Sequence, residues 1–181
     1  YGFHQYAQMK AVNPSFLRNS SSSDIYFKQH KLGILKLNIP GFHNISNALA
    51  AITTGLELGL KFQDITEILY HFRGVKRRQE IIFQLNDNFL IIDDYGHHPS
   101  EIKATLKAIH QGWPGYRIIT IFQPHRYTRT KLLLEYFGTA FQDSQVVIVN
   151  DIYPANEKPI PHISATLIYQ KIKEHKGEHV Y

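Results

Sequence analysis

Three short apolar runs each end abruptly in polar and ionisable residues, and no other pattern constrains the fold of this chain as much. Phe89–Asp93 leads into D-Y-G-H-H-P, Ile118–Phe122 into Q-P-H-R-Y-T-R-T, and Val146–Val149 into N-D-I-Y-P-A-N-E. Nearly continuous apolar strands belong in a parallel sheet covered on both faces. Helical spacing fills the gaps: Ile102, Leu106 and Ile109; then Leu132, Leu133, Tyr136, Phe137, Ala140 and Phe141; then Leu167, Ile168 and Ile172. His179–Tyr181 reads as the start of a further strand. The expected fold is α/β, with a Rossmann-like, mostly parallel sheet and flanking helices. In such sheets ligands bind outside the carboxyl ends of the strands, so the three clusters should converge on one edge.

The first part of the chain has a different pattern. Residues 1–30 are polar and read as surface strands and loops, with Asn13-Pro14 as a turn signal and Ser20–Ser23 as a loop-like run. Leu32–Ile39 reads as a strand broken by Pro40-Gly41. Leu49, Ile52, Leu56 and Leu60 then recur at helical spacing, and small Ala48, Ala51 and Gly55 among them allow close packing. Asp64 and Glu67 form a capping-box-like start for a second helix with Ile65, Ile68, Leu69 and Phe72 on its apolar face, ended by Gly74. Glu80–Leu85 and Phe89–Asp93 flank a hairpin signal at Asn86-Asp87-Asn88.

Composition narrows the function. A net charge of +5 favours anionic partners, although a solvated basic face gives the same number. With no cysteine there is no disulfide and no thiolate chemistry, which is compatible with a reducing cytoplasm. No apolar run reaches the roughly 20 residues of a membrane helix. The chain begins at Tyr1 without a methionine and in mid-pattern, so it is expected to be part of a longer protein. No G-x-S-x-G elbow and no glycine-rich phosphate loop ending in Lys-Ser/Thr occurs in it.

Several residues carry more chemistry than folding needs. His43, Asn44 and Asn47 fall in one helical first turn. Capping accounts for Asn44 alone, while two amides and an imidazole suit a base or another polar ligand. In V-K-R-R, Arg78 is either part of a solvated turn or a phosphate contact. Asp93 and Asp94 point to opposite faces of a strand, so they are not a paired acid and base. Asp94, at the strand end, is the better ligand contact, and Asp93 suits a structural role. Arg126 and Arg129 sit at a helix start, where cations oppose the dipole. An anionic ligand explains them, and so do ion pairs with Glu135 or Asp143. His97, His98, His125 and Asp94 do not have a strong metal-ligand spacing.

Five stretches taken in order resemble the Mur ligase family: P-G-F-H-N-I-S-N-A-L-A-A, F-R-G-V-K-R-R, D-D-Y-G-H-H-P-S-E-I, F-Q-P-H-R-Y-T-R-T and D-I-Y-P-A-N-E. They span nearly the whole chain, and the H-R-Y-T-R form is that of the alanine-adding members. The tripeptide-recycling members share D-D-x-x-H-H-P and are the alternative. From other classes, a basic nucleic-acid-binding module would explain the charge and a metal-dependent hydrolase the histidines. The nucleic-acid reading does not explain polar clusters at three strand ends, and the hydrolase reading predicts stoichiometric zinc or manganese in the purified protein.

The resemblance implies an ATP-dependent ligase that joins L-alanine to the carboxylate of UDP-N-acetylmuramate through an acyl phosphate, for peptidoglycan precursor synthesis in the cytoplasm. Nucleic acid and membrane insertion are not among the implied partners. Residues 1–78 would end a central ATPase domain, and 79–181 would form most of a C-terminal Rossmann-like one. His43, Asn44 and Asn47 match the turn that reads adenine. Arg78 matches the contact to the terminal phosphate, and Asp94 a ribose contact across a domain interface. Tyr95, His97, His125, Arg126 and Arg129 match the surroundings of alanine and the muramoyl carboxylate, with Arg78, His97 and His125 nearest the chemistry. ATP and Mg2+ are implied, with the magnesium ligands mostly outside this chain and no metal ligand within it. Gln79 departs from the family, which usually carries an aromatic or other apolar residue there. The phosphate loop with its lysine, the magnesium-binding Glu and His, the UDP-binding domain and the last strands are not found in this sequence. The 181 residues alone are therefore expected to show no alanine-dependent ATP turnover, and detectable turnover by the purified chain would overturn this.

Overall fold

The computed structural model describes residues 1–86 and 88–181; Asp87, at the centre of the expected hairpin turn, lies outside the described residues. The chain divides into two compact units, one of residues 1–94 with 111–114 and one of residues 95–110 with 115–181.

In the first unit, β1 (Met9–Leu17), β2 (Ser20–Phe27) and β3 (His30–Leu37) form an antiparallel meander. Asn13-Pro14 makes no turn: the β1–β2 register shifts between Val12 and Ser15, and Asn13 has a φ of 53°. A proline cannot donate to the ladder, and a bulge accommodates it. The serine run is strand β2 rather than loop. Ser21 and Ser23 are buried, and each hydroxyl donates to a carbonyl, of Ile39 at 2.8 Å and Val12 at 2.7 Å. The period-two alternation that places them inside also places Ile25 there.

The inner face of the meander, with Met9, Ala11, Ile25, Leu35 and Leu37, packs on α1 (Phe42–Glu57) through Ile45, Leu49 and Ile52, and on α2 (Phe62–His71) through Phe62 and Ile65. Gly55 allows the two helices to approach, because a Cβ there would lie 2.6 Å from Ile65 Cδ1. The apolar periodicity overshoots in places. Leu60 lies beyond α1 and is exposed, as are Ile68 and Phe72. The Asp64–Glu67 pair does not cap, since α2 starts after Lys61 without a side-chain cap.

The unit also contains an antiparallel hairpin, β4 (Glu80–Leu85) and β5 (Phe89–Asp93), with a register shift between Ile81 and Phe83. Its edge is tied by Arg77, whose backbone N–H donates to Glu80 Oε2 at 2.8 Å and whose Nε donates to Asp93 Oδ2 at 3.0 Å.

In the second unit, β6 (Ile119–Phe122) and β7 (Val146–Val149) pair in parallel, Ile119 opposite Val146. The expected start of a further strand is seen as a parallel bridge from Val147 to Val180. The unit also holds most of α3 (Pro99–Gly112), α4 (Tyr127–Gly138) and α5 (Ala165–Lys176). Ile102, Leu106, Phe122, Phe137, Phe141, Val147, Ile168 and Ile172 form its core. Phe122 meets Phe137 and Phe141 with ring centroids 5.6 and 5.2 Å apart. Ile119 and Ile121, on the opposite side of β6 from Phe122, remain exposed, so the expected two-sided cover is incomplete on this strand among the described residues.

Gln79 is buried with a φ of 51°, and both polar atoms of its side chain lack a hydrogen-bond partner. An unsatisfied buried amide costs about 1–3 kcal/mol. Gln79→Leu is therefore expected to raise the chemical-denaturation stability of the chain, and a loss of stability would show that the carboxamide has a partner.

Candidate functional site

The residues expected to carry chemistry fall into two groups, one in each unit. In the first unit, Gly41, with a φ of 100°, is the N-cap of α1, and no side chain caps that end. The capping role open to Asn44 is not realised. Its Nδ2 donates to Pro40 O at 2.7 Å, which fixes the entry of the chain into the helix. Asn47 is exposed one turn further on. His43 is half-buried, and its pKa lies below the ordinary imidazole value. Burial is the main cause; the Arg78 cation adds to it, and the Asp94 carboxylate opposes it.

The two aspartates divide as their opposite faces require. Asp93 holds the Arg77 guanidinium. Asp94 Oδ2 accepts the backbone N–H of Gln79 at 2.9 Å, which fixes the residue after Arg78. Arg78 is exposed at the end of the V-K-R-R turn, its backbone N–H bonded to Val75 O at 3.0 Å. This group therefore brings together a neutral-biased imidazole, a carboxylate and a guanidinium, with exposed Asn47 on the same helical first turns.

In the second unit the three strand-end clusters converge. After β6, His125 forms a parallel bridge with Tyr153 of the segment after β7. Arg126 N–H donates to Tyr153 O, and Tyr153 N–H to Pro124 O, both at 2.8 Å. The His125 ring lies 5.6 Å from the Tyr153 ring, 6.1 Å from Tyr95 and 5.3 Å from His97, with His97 stacked at 30°. Tyr95 and His97 themselves meet edge to face at 5.1 Å.

The two arginines do different things. Arg126 is the N-cap of α4, with a φ of 73°, and its side chain is exposed. Arg129, in the first turn, folds back so that Nη1 contacts His125 Nδ1 at 2.9 Å and His125 O at 3.1 Å. Of the partners expected for them, Glu135 pairs instead with Lys171 at 3.2 Å. Burial lowers the His125 pKa most, followed by the charges of Arg129, His97 and Arg126, with Glu157 opposing.

Sequence reasoning missed Tyr153 as a ring partner and two acids as caps. Glu157 accepts from Thr128 N at 3.0 Å and Thr128 Oγ1 at 2.6 Å, and these bonds hold its pKa below the usual carboxylate value. Glu101 Oε2 accepts the backbone N–H groups of His97 and His98, each at 3.0 Å, at the start of α3. The signal for Glu101 was present: an acid three residues after a candidate helix start is half of a capping box. Glu157 is distant in sequence from the helix it caps and left no local signal. Among the described residues, no group of three or more His, Asp or Glu side chains is arranged to hold a metal ion, and no helix is long and apolar enough to cross a membrane.

The second unit is α/β, with two arginines and two imidazoles gathered beside the ends of its strands. Residues 77–181 match the family described as Mur ligase, glutamate ligase domain, and the chain belongs to the Mur ligase family. It is 45% identical over 176 residues to UDP-N-acetylmuramate–L-alanine ligase of Endomicrobium trichonymphae, covering 97% of this chain and 39% of that protein. It is 49% identical over 168 residues to the protein of the same name from Pelotomaculum thermopropionicum, covering 93% and 36%. The crystal structure of UDP-N-acetylmuramate-alanine ligase from Thermotoga maritima superposes with a TM-score of 0.82 at 30% identity, covering 98% of this chain and 37% of that one. The chain thus spans under two fifths of the length of these relatives.

Because both His43 and His125 have lowered values, the unfolded chain binds more protons than the folded one just below 6.5. Stability is fully present above that value and is lost as pH falls towards the folded-state values. Urea midpoints measured from about pH 7 down to about pH 5 should fall, and less steeply in His43→Gln. A midpoint that rises on acidification in wild type and not in His43→Gln would contradict the direction.

Proposed function

We propose that this chain is part of a ligase that joins L-alanine to the carboxylate of UDP-N-acetylmuramate at the expense of ATP, in cytoplasmic peptidoglycan precursor synthesis. The observation that carries the reading is the second-unit cluster, with two arginines at the start of α4 beside a pair of stacked imidazoles. Identities of 45% and 49% to relatives of that name support it. Residues 1–78 are read as the end of the ATP-binding domain and 79–181 as most of the C-terminal ligase domain, close to the matched span of 77–181.

The residues suit distinct tasks. An activated carboxylate carries anionic oxygens, and Arg126 at a helix N-terminus offers both a guanidinium and the positive end of the dipole. Arg129 supports the same charge from behind His125. Tyr95 and Tyr153 give the cluster aromatic walls that suit the small methyl group of alanine. In the first unit, the neutral-biased His43 with Asn47 suits an adenine edge, Arg78 a phosphate and Asp94 a ribose hydroxyl pair. Asn44 acts on the entry of α1, so its part in adenine recognition is to fix that turn. Magnesium, when bound in such ligases, neutralises phosphate oxygens. Among the described residues no group of three or more His, Asp or Glu side chains is arranged to hold it.

In the full-length parent, Arg126→Ala or Arg129→Ala removes a charged hydrogen-bond donor worth about 1.5–3 kcal/mol. The kcat/KM for alanine should fall by roughly 10- to 150-fold. Unchanged alanine incorporation with unchanged apparent affinity would reject the assignment. Incorporation of a tripeptide in place of alanine would favour the recycling member of the family.

A further inference from the structure

We infer that the stacked imidazoles of His97 and His125 are held in opposite tautomers and take different parts, His97 as proton acceptor and His125 as hydrogen-bond donor. The assignment rests on which atoms face each ring. A guanidinium carries only N–H donors, so His125 Nδ1, 2.9 Å from Arg129 Nη1, accepts. The ring proton of His125 therefore sits on Nε2. A carbonyl oxygen only accepts, so His97 Nδ1, 2.9 Å from Tyr95 O, donates. The neutral His97 ring thus carries its lone pair on Nε2. The rings lie 5.3 Å apart at 30°, so one site presents an N–H and a basic nitrogen side by side.

The environment keeps the two roles apart. A second proton on His125 would place an N–H against the Arg129 donor and add charge beside Arg126 and His97; among the described residues Glu157 is the anion that opposes this, and Tyr95 and Tyr153 flank the ring. The lowered His125 pKa agrees with this. His97 meets an acceptor instead, the Tyr95 carbonyl, and its backbone N–H is fixed by Glu101.

The chemical consequence rests on the ligase reading above. The alanine ammonium gives one proton to His97 Nε2, which leaves a neutral amine. Its nitrogen lone pair forms the C–N bond to the acyl carbon, and the carbonyl π pair moves onto oxygen. His125 Nε2–H donates a hydrogen bond to that oxyanion. As the C=O bond re-forms, the C–O bond to phosphate breaks and phosphate leaves with the electron pair. The second nitrogen proton then goes to solvent or to the departing phosphate. His125 neither gains nor loses a proton.

Nitrogen-15 spectra of the imidazoles in the purified chain test the tautomers without any activity. His125 should show an unprotonated Nδ1 and a protonated Nε2, and neutral His97 the reverse. Arg129→Met should shift His125 towards a tautomer mixture and raise its titration midpoint. If both rings share one tautomer, or if His125 titrates at or above the ordinary imidazole value, the inference is wrong. In the full-length parent, His97→Ala should lose the acid limb of the kcat profile, whereas His125→Gln, which keeps a donor, should retain that limb. Opposite tautomers in a parent that does not ligate alanine would reject the ligase reading and leave the tautomer assignment standing. A retained acid limb in His97→Ala would reject the assignment of the base.

Discussion

The second unit depends on a parallel pairing that continues past its own strands. β6 and β7 stop at Phe122 and Val149, yet Tyr153 N–H still reaches Pro124 O, and Arg126 N–H reaches Tyr153 O. Those two bonds join the segments that carry the second and third polar clusters. Without them the loops would leave the sheet independently, and His125 would have no fixed distance to Tyr153. The same bridge sets Arg126 at a φ of 73°, which turns the chain sharply into α4. Left-handed backbone in a residue with a large side chain is costly, and it persists where surrounding bonds over-determine it.

Cations at a helix start also carry a cost, and the structure shows how it is offset. Arg126 and Arg129 both stand at the positive end of α4. Glu157 places a carboxylate on the Thr128 N–H and hydroxyl at that same end. The acid takes up free N–H groups and opposes the local positive potential, while Arg126 remains exposed to solvent. The result is a helix start with a carboxylate already in place and a guanidinium still facing solvent. At α3 the arrangement differs. Glu101 binds the N–H groups of His97 and His98, so it orders the imidazole-bearing turn instead of a cation.

Much of this was legible in the sequence because it follows from periodicity. The hairpin strands β4 and β5 and the strand β7 lie where the apolar spacing puts them. The meeting of the second and third clusters follows from the parallel pairing of β6 with β7. Phe89–Asp93, read as a strand of the same sheet, pairs instead antiparallel with β4 in a separate hairpin. The first cluster reaches the others through the ring contacts of Tyr95 and His97. Other features were hidden because they depend on tertiary partners. Ser20–Ser23 has the composition of a loop, yet β2 sits between β1 and β3, and the carbonyls of Ile39 and Val12 satisfy its inward hydroxyls. Asp64 and Glu67 have cap spacing, but burial of Phe62 and Ile65 sets where α2 begins. Asn44 has the identity of a cap, but its amide finds the carbonyl of Pro40 first.

The division of the candidate residues between units has a further chemical logic. His43, Arg78 and Asp94 lie in the first unit, and Tyr95 begins the second. One peptide bond therefore separates the Asp94 carboxylate from the first ring of the imidazole cluster. Asp94 is anchored by the backbone N–H of Gln79, and the Tyr95 carbonyl is anchored by His97 Nδ1. Each side of the junction is thus fixed by a bond within its own unit. The sequence D-D-Y-G-H-H-P is dense in ionisable groups because it serves both units in turn: Asp93 for an ion pair with Arg77, Asp94 for the turn after Arg78, Tyr95 and His97 for the ring cluster, and Pro99 for the start of α3. Few of its side chains are interchangeable, because almost every one has a different partner.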